Sequence, residues 1–462
     1  MAMLLGRISD AVRALPQAAP APTPGNPLTP ETLEPAQARM PPQLNGDAFG
    51  PPVASILPRR AEEARLPEGG PGDVFGGRPP PDIFDRPFPR RFPFPIPFPL
   101  PTEPTRTSGK ALEEMDTLLA GPPTSYSSEG GAEVIRDGWD ADVGEDQMPQ
   151  LERYQTAKTQ VEANAQLEQR KLEGMTPAQR DAYNQVKQQL MTIQPAGDPV
   201  AALALQKLLL TGKLTEGTSL RDGMTVLDGL SRLANSPLRE GFDRQQLLAN
   251  LTQEIATPST INQGGKGTCT VTCVAIMLAR QNPAEYVRLI AGLASPAGEV
   301  TTASGKVLRP ERDALFVDVG RTDVQQLLAP ALMELAHPRL DYRNEEDAQY
   351  RRNKEIHGGL NSREVDRVLE GIFDDRYKRR DVGGFLEMGN KKAMRKIQEE
   401  LADGKEVLAG LKWGDSAHKV LVTGVENVNG QEYVHYINPW GREERIPKDE
   451  FRDRLIDFNH EK

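Results

Sequence analysis

Cysteine is nearly missing from this 462-residue chain: Cys269 and Cys273 are the two it has. A disulfide framework is thereby excluded, and the two lie one helical turn apart, where a bridge would close almost no loop. Two thiols alone also make a poor zinc site, so a functional free thiol is the reading left. Aromatic residues are 5% and hydrophobic residues 37% of the chain, too few to fill its length with packed core. No apolar run reaches the roughly eighteen residues needed to span a bilayer. Near the N-terminus Arg7, Asp10 and Arg13 interrupt the short apolar stretch, which reads as a small amphipathic helix and not as a secretory signal. The expected location is cytoplasmic by default, and signal-free export, as of an effector, is compatible with it. Basic charge is also short: 56 Lys and Arg against 66 Asp and Glu, net −10, argue against nucleic acid or an anionic membrane as partner.

Proline is in excess, and unevenly so. Twenty-five of the forty prolines precede residue 105, so residues 1–147 are expected to be an unfolded Pro/Gly-rich region. Its basic, aromatic strip from Arg86 to Phe98 contains Phe92-Pro93-Phe94-Pro95, which cannot build a strand ladder because proline lacks the donor. Polyproline II is the expected form, as a spacer or as a docking strip for a partner that binds Pro-rich motifs. From 148 to 258 the spacing is helical, with Thr176-Pro177 and Asp198-Pro199 as caps followed by proline at the first helical position. This segment reads as an independent bundle, a regulatory or prodomain-like cover, or an N-terminal extension of the domain after it. From 259 to 462 helices come first and strands after them. A hairpin turns at Ser304-Gly305, helices are expected at 322–336, 362–373 capped by Ser362 and 390–402 capped by Asn390, and a second hairpin turns at Asn429-Gly430. The fold class is α+β.

One stretch carries chemistry. Gln263-Gly264-Gly265-Lys266-Gly267-Thr268-Cys269 delivers a cysteine to the first turn of a helix whose core face is Val271, Val274 or Ala275, and Leu278. The positive end of the helix favours thiolate over thiol there, and backbone donors with the Gln263 amide can receive an oxyanion. The proton partner is His418, which opens the strand His418 to Val422. If Asn429-Gly430 is the turn, paired numbers sum to about 859, placing His418 near Gly441 and Asn438 near Leu421. Imidazole and amide then share one end of a hairpin, where the Asn carbonyl can hold the ring.

Three short motifs in this order resemble the papain-like cysteine protease clan: the Gln263…Cys269 loop, the His418 strand, and Asn438-Pro439-Trp440-Gly441, whose Pro-Trp form is closest to calpains. The resemblance covers residues 258–458. It implies a papain-like α+β fold and hydrolysis of a protein or peptide substrate by a Cys-His-Asn triad without a cofactor. Gln263 would help form the oxyanion hole, Cys269 attack, His418 shuttle the proton, Asn438 orient it, and Trp440 shield the Asn–His bond from water. The chain departs from the family at Thr270, where an aromatic usually follows the nucleophile, and it shows no counterpart of the calpain calcium sites.

Blander readings stand beside these. Cys273, a full turn inside the helix, reads as a small buried hydrophobe. His435 is the rival base, but three residues from Asn438 it points to the other face of a regular strand. His337, His357 and His460 read as solvated. Asp140 to Gly144 resembles a calcium loop with glycine at a ligand position. No cluster has metal-ligand spacing, and Gly265-Lys266-Gly267-Thr268 fails the phosphate-loop spacing. Two rivals remain open: a transglutaminase, deamidase or acyltransferase with the same triad, and a non-catalytic interaction protein on a degenerate protease fold.

Overall fold

Helices dominate the first half of the folded chain and strands the second, the α+β order expected from the sequence. The computed structural model describes residues 106–121, 123–128, 130–137, 148–192, 197–309, 320–352, 354–383 and 388–462. The N-terminal amphipathic stretch, the Arg86–Phe98 strip and the Asp140–Gly144 loop lie outside these residues. Helix α1 (Arg106–Ala120) and the hairpin of β1 (Pro123–Ser127) and β2 (Glu133–Asp137) correct the expectation that nothing folds before 147. Their sequences are polar because they work at a sheet edge. Among the hairpin's described residues Ala132 and Val134 are the fully buried hydrophobes, and Glu133 and Asp137 pair with arginines of another strand.

Helices α2 (Met148–Ala163), α3 (Ala165–Glu173), α4 (Pro177–Met191), α5 (Pro199–Leu210), α6 (Val226–Asn235) and α7 (Arg244–Ala256) come next. Thr176 and Asp198 cap α4 and α5 as their sequence signals require. The next helix, α8 (Cys269–Gln281), is buried from Thr270 to Ala279 on every side, so the expected single core face is too narrow. A helix apolar all round is one packed all round: the strand Ser416–Val428 lies against one flank, and α7 and the helices Pro283–Leu293, Asp323–Ala336 and Ser362–Phe373 against the rest. These are α9 (Pro283–Leu293), then, after a small hairpin of β3 (Val300–Thr301) and β4 (Val307–Leu308), α10 (Asp323–Ala336). A three-stranded sheet of β5 (Asp341–Arg343), β6 (Ala348–Arg351) and β7 (Lys354–His357) precedes α11 (Ser362–Phe373). The cap of α11 is Asn361 in a capping box with Glu364, one residue before the expected Ser362, and Gly389 rather than Asn390 precedes α12 (Asn390–Ala402).

The remaining elements are β8 (Tyr377–Asp381), β9 (Val407–Trp413), β10 (Ser416–Val428), β11 (Gln431–Asn438), β12 (Arg442–Pro447), α13 (Lys448–Arg454) and β13 (Leu455–Glu461). Among the described residues they form one antiparallel sheet with the N-terminal hairpin, in the order β1-β2-β12-β11-β10-β9-β13-β8. Both faces are covered, and the period of two sorts the side chains. Leu408, Leu421 and Ile437 join the helical core, whereas Val407, Ala409, Val420, Val422 and Tyr436 join a second core with Met394, Ile397 and Phe451 of α12 and α13. The β10–β11 turn has Asn429 at φ 50° and Gly430 at φ 88°, the left-handed pair that an Asn-Gly hairpin requires.

Candidate active site

Cys269 is the first residue of α8 and is half-buried. Its loop is fixed from three sides. Gln263 N–H donates to the Pro439 carbonyl at 2.7 Å, Gly267 N–H donates to Asp347 Oδ2 at 2.5 Å, and Asn262 bridges to Trp440. Asp347, at φ 54° between β5 and β6, is steadied by the Tyr342 hydroxyl at 2.8 Å. Thr268 makes no side-chain cap, so its hydroxyl does not occupy the first-turn donors of α8.

The hairpin delivers the other two residues. Pairing runs with a number sum of 859 from Val428↔Gln431 to Gly424↔His435, then shifts by a bulge at Thr423, so that Val422 faces Tyr436 and Leu421 faces Ile437. His418 therefore falls over Trp440 rather than near Gly441: the two rings stack at 4.4 Å between centroids and 17° between planes. Trp413 packs beside both, tilted at 5.1 Å and 54° to His418 and edge-on at 5.7 Å to Trp440. Paired β10–β11 residues end at Leu421 and Ile437, and Lys419 beyond them turns its backbone to α8. Its carbonyl accepts from Cys273 Sγ at 3.4 Å, and it gives a backbone hydrogen bond to Cys269.

His418 and Asn438 are both buried, and His418 Nε2 donates to Asn438 Oδ1 at 3.0 Å. Asn438 Nδ2 in turn donates to Glu444 Oε1 at 3.1 Å. Burial alone would raise the Cys269 thiol, but the hydrogen bond and positive charge of His418 outweigh it and hold its pKa below the usual thiol value. Burial works equally against the imidazolium, and the Cys269 hydrogen bond and charge, with Asn438 and Glu444 behind them, bring its pKa above the ordinary imidazole value. Both shifts favour a thiolate–imidazolium pair. Cys273 behaves oppositely: burial and the neighbouring Cys269 push its thiol well up.

Cys269, His418, Asn438 and Trp440 lie together, and Gln263 reaches them through its backbone bond to Pro439. Gln263 Nε2 uses one N–H on the Lys266 carbonyl at 2.6 Å and keeps the other. His435 is not in this line. It is buried beside Glu426 at 3.3 Å, and burial together with Arg445 lowers its pKa to about 4. His460 is buried at 3.1 Å from Glu400, which corrects its reading as solvated; His337 and His357 flank the nearly buried Glu364. Three contributors are not apparent from sequence: Trp413, Asp347 and Glu444. Trp413 had a usable signal, an aromatic directly before the Gly414 turn that feeds the His418 strand. The other two are acids in charged stretches, indistinguishable there from a solvated face. Among the described residues no His, Cys, Asp and Glu group is disposed to hold a metal ion, and no helix is long and apolar enough to cross a membrane. No family model matches this chain, and no curated protein matches it.

Proposed function

We propose that the chain is a cysteine peptidase with a papain-like catalytic domain, acting on protein or peptide substrates through an acyl-enzyme on Cys269. What supports the reading is the continuous line from a half-buried thiol at a helix N-terminus through His418 to Asn438. The Cys269 thiolate attacks the scissile carbonyl carbon and the C=O electron pair moves onto oxygen. The Cys269 N–H and the spare Gln263 N–H receive that charge. The imidazolium of His418 gives its proton to the leaving nitrogen as the C–N bond breaks, leaving a thioester. Neutral His418 then takes a proton from water as the hydroxyl adds to the thioester carbon, and the C–S bond breaks to release the acid. Asn438 keeps the imidazole in the tautomer that faces the sulfur, and Trp440 covers the His418–Asn438 bond.

The test is alkylation of the full chain by iodoacetamide as a function of pH. Rapid labelling at mildly acidic pH is expected, abolished in Cys269→Ala, retained in Cys273→Ala, and slowed in His418→Ala. Labelling at the rate of an ordinary thiol, indifferent to His418, overturns the reading.

A further inference from the structure

Behind the three residues of that reading stands a fourth, and the inference rests on the reading. Glu444 is fully buried on β12, opposite Tyr436 in register. Its Oε1 accepts the Asn438 side-chain N–H at 3.1 Å, while Asn438 Oδ1 accepts from both His418 Nε2 at 3.0 Å and Trp440 N–H at 3.4 Å. An amide can turn about its last bond, presenting either oxygen or nitrogen to the imidazole. A carboxylate accepts only, so with Glu444 on one side the amide nitrogen must face it and the oxygen must face the ring. A charged group buried this fully on a strand has one geometric bond to the triad and the Tyr436 hydroxyl beside it. Among the described residues Arg442 acts on it only by its charge, whereas Asn438 holds it by a hydrogen bond at 3.1 Å.

We infer that Glu444 is a positioning residue: it fixes the orientation of Asn438 through a charged hydrogen bond and supplies, through that amide, negative charge that holds the proton on His418. The carboxyl is kept where its ionisation is unfavourable. Burial raises its pKa, and the nearby Tyr436 hydroxyl, the Asn438 hydrogen bond and the charges of Arg442 and His418 only partly restore it. A carboxyl with a raised folded pKa binds its proton more tightly in the fold than in the unfolded chain. Its ionised form therefore subtracts from stability as pH rises through the folded pKa, and the neutral isostere removes that penalty. The groups facing it are His418 on β10, Tyr436 and Asn438 on β11, Arg442 on β12 and Tyr126 on the hairpin; Asp137 pairs with Arg442, and Glu450 and Arg454 on α13 act on Tyr436. Of these, only His418 changes charge in the reaction.

The experiment follows the pH profile of Cys269 alkylation in the full chain with iodoacetate, an anionic reagent drawn by thiolate and imidazolium together. The acid limb reports ionisation of the thiol beside an existing imidazolium; the alkaline limb reports loss of the imidazolium proton. Glu444→Gln keeps an acceptor for Asn438 and removes the charge. Its alkaline limb is expected to move down by about one pH unit, with the acid limb unmoved and the melting temperature unchanged or higher. Glu444→Asp, which keeps the charge, is expected to restore most of the alkaline limb. An alkaline limb that stays in place in Glu444→Gln overturns the inference and leaves the triad standing. A wild-type chain whose Cys269 titrates as an ordinary thiol overturns both, and the two failures are told apart by that wild-type profile.

Discussion

At the scale of single residues, the proposed reading gives the side-chain amides of Asn438 and Gln263 different work, and substitution separates them. In that reading Asn438 acts on the ground state, through the imidazole it holds, and Gln263 acts later. Its Nε2 is tied to the Lys266 carbonyl and its backbone to Pro439, so one N–H remains for charge that appears only when a carbonyl is attacked. Gln263→Ala is therefore expected to leave alkylation of Cys269 close to the wild-type rate. Acylation by a p-nitrophenyl ester of a blocked amino acid should fall by about 10²-fold, the usual loss for one oxyanion donor. An equal fall in both rates would place Gln263 in support of the loop instead. The glycine at 441 shows how tightly these motifs interlock: it sits at φ 75°, and a Cβ there would lie 3.2 Å from the Thr260 carbonyl, just before the Gln263–Cys269 loop.

At the scale of elements, a buried acid ties the helical segment to the helices around α8. Glu254 on α7 accepts from the Tyr286 hydroxyl of α9 at 2.5 Å, from Gln325 Nε2 of α10 at 3.0 Å, and from Thr322, the cap of α10. Burial outweighs these bonds and raises its pKa from 4.5 to about 7. The folded value lies above the unfolded one, so the contribution is greatest below pH 4.5 and is lost as pH climbs to 7. The whole span is worth about 3 kcal/mol. Calorimetry at pH 5 and pH 7.5 is expected to show Glu254→Gln gaining several degrees on the wild type at the higher pH; an equal difference at both would mean the carboxyl keeps one charge state across that range. Nothing in the sequence marks this acid, since Glu254 sits in Thr-Gln-Glu-Ile with the texture of an exposed helix face. The elements that were legible are those whose own residues decide them: the proline-started helices α4 and α5, and the Asn429-Gly430 hairpin with its near-correct register. Those that were not, β8 as Tyr-Lys-Arg-Arg-Asp and β12 as Arg-Glu-Glu-Arg-Ile-Pro, become strands because neighbours pair with them. Their charges are matched across strands, as Arg445 with Glu133 at 2.7 Å, and only the assembled sheet supplies that partner.

At the scale of the molecule, the question is whether residues 148–258 cover the domain that carries Cys269 or belong to it. Leu203, Leu205 and Leu208 of α5, Leu230 of α6 and Leu247, Leu248 and Leu251 of α7 are all fully buried, in one apolar cluster with Val271 and Ile276 of α8 and with Leu327 of α10. Contact is close enough that a Cβ on Gly229 of α6 would lie 2.5 Å from the Val287 side chain of α9. A cover that comes away leaves a polar surface behind. Removing these helices would instead expose apolar flanks of α8, α9 and α10. Each fully buried leucine lost from such a core withdraws about 2–5 kcal/mol, and seven of them exceed the roughly 5–15 kcal/mol by which a domain is stable. A chain lacking 148–258 is thus expected to be insoluble or to melt without a cooperative transition, not to emerge as a more active enzyme. The measurement is calorimetry and Cys269 alkylation on that truncated chain beside the full one. A soluble fragment with a sharp melting transition and faster labelling would show that the helices restrain a domain that stands without them; loss of the transition, with Cys269 reverting to an ordinary thiol, would show that the nucleophile helix owes its position to them.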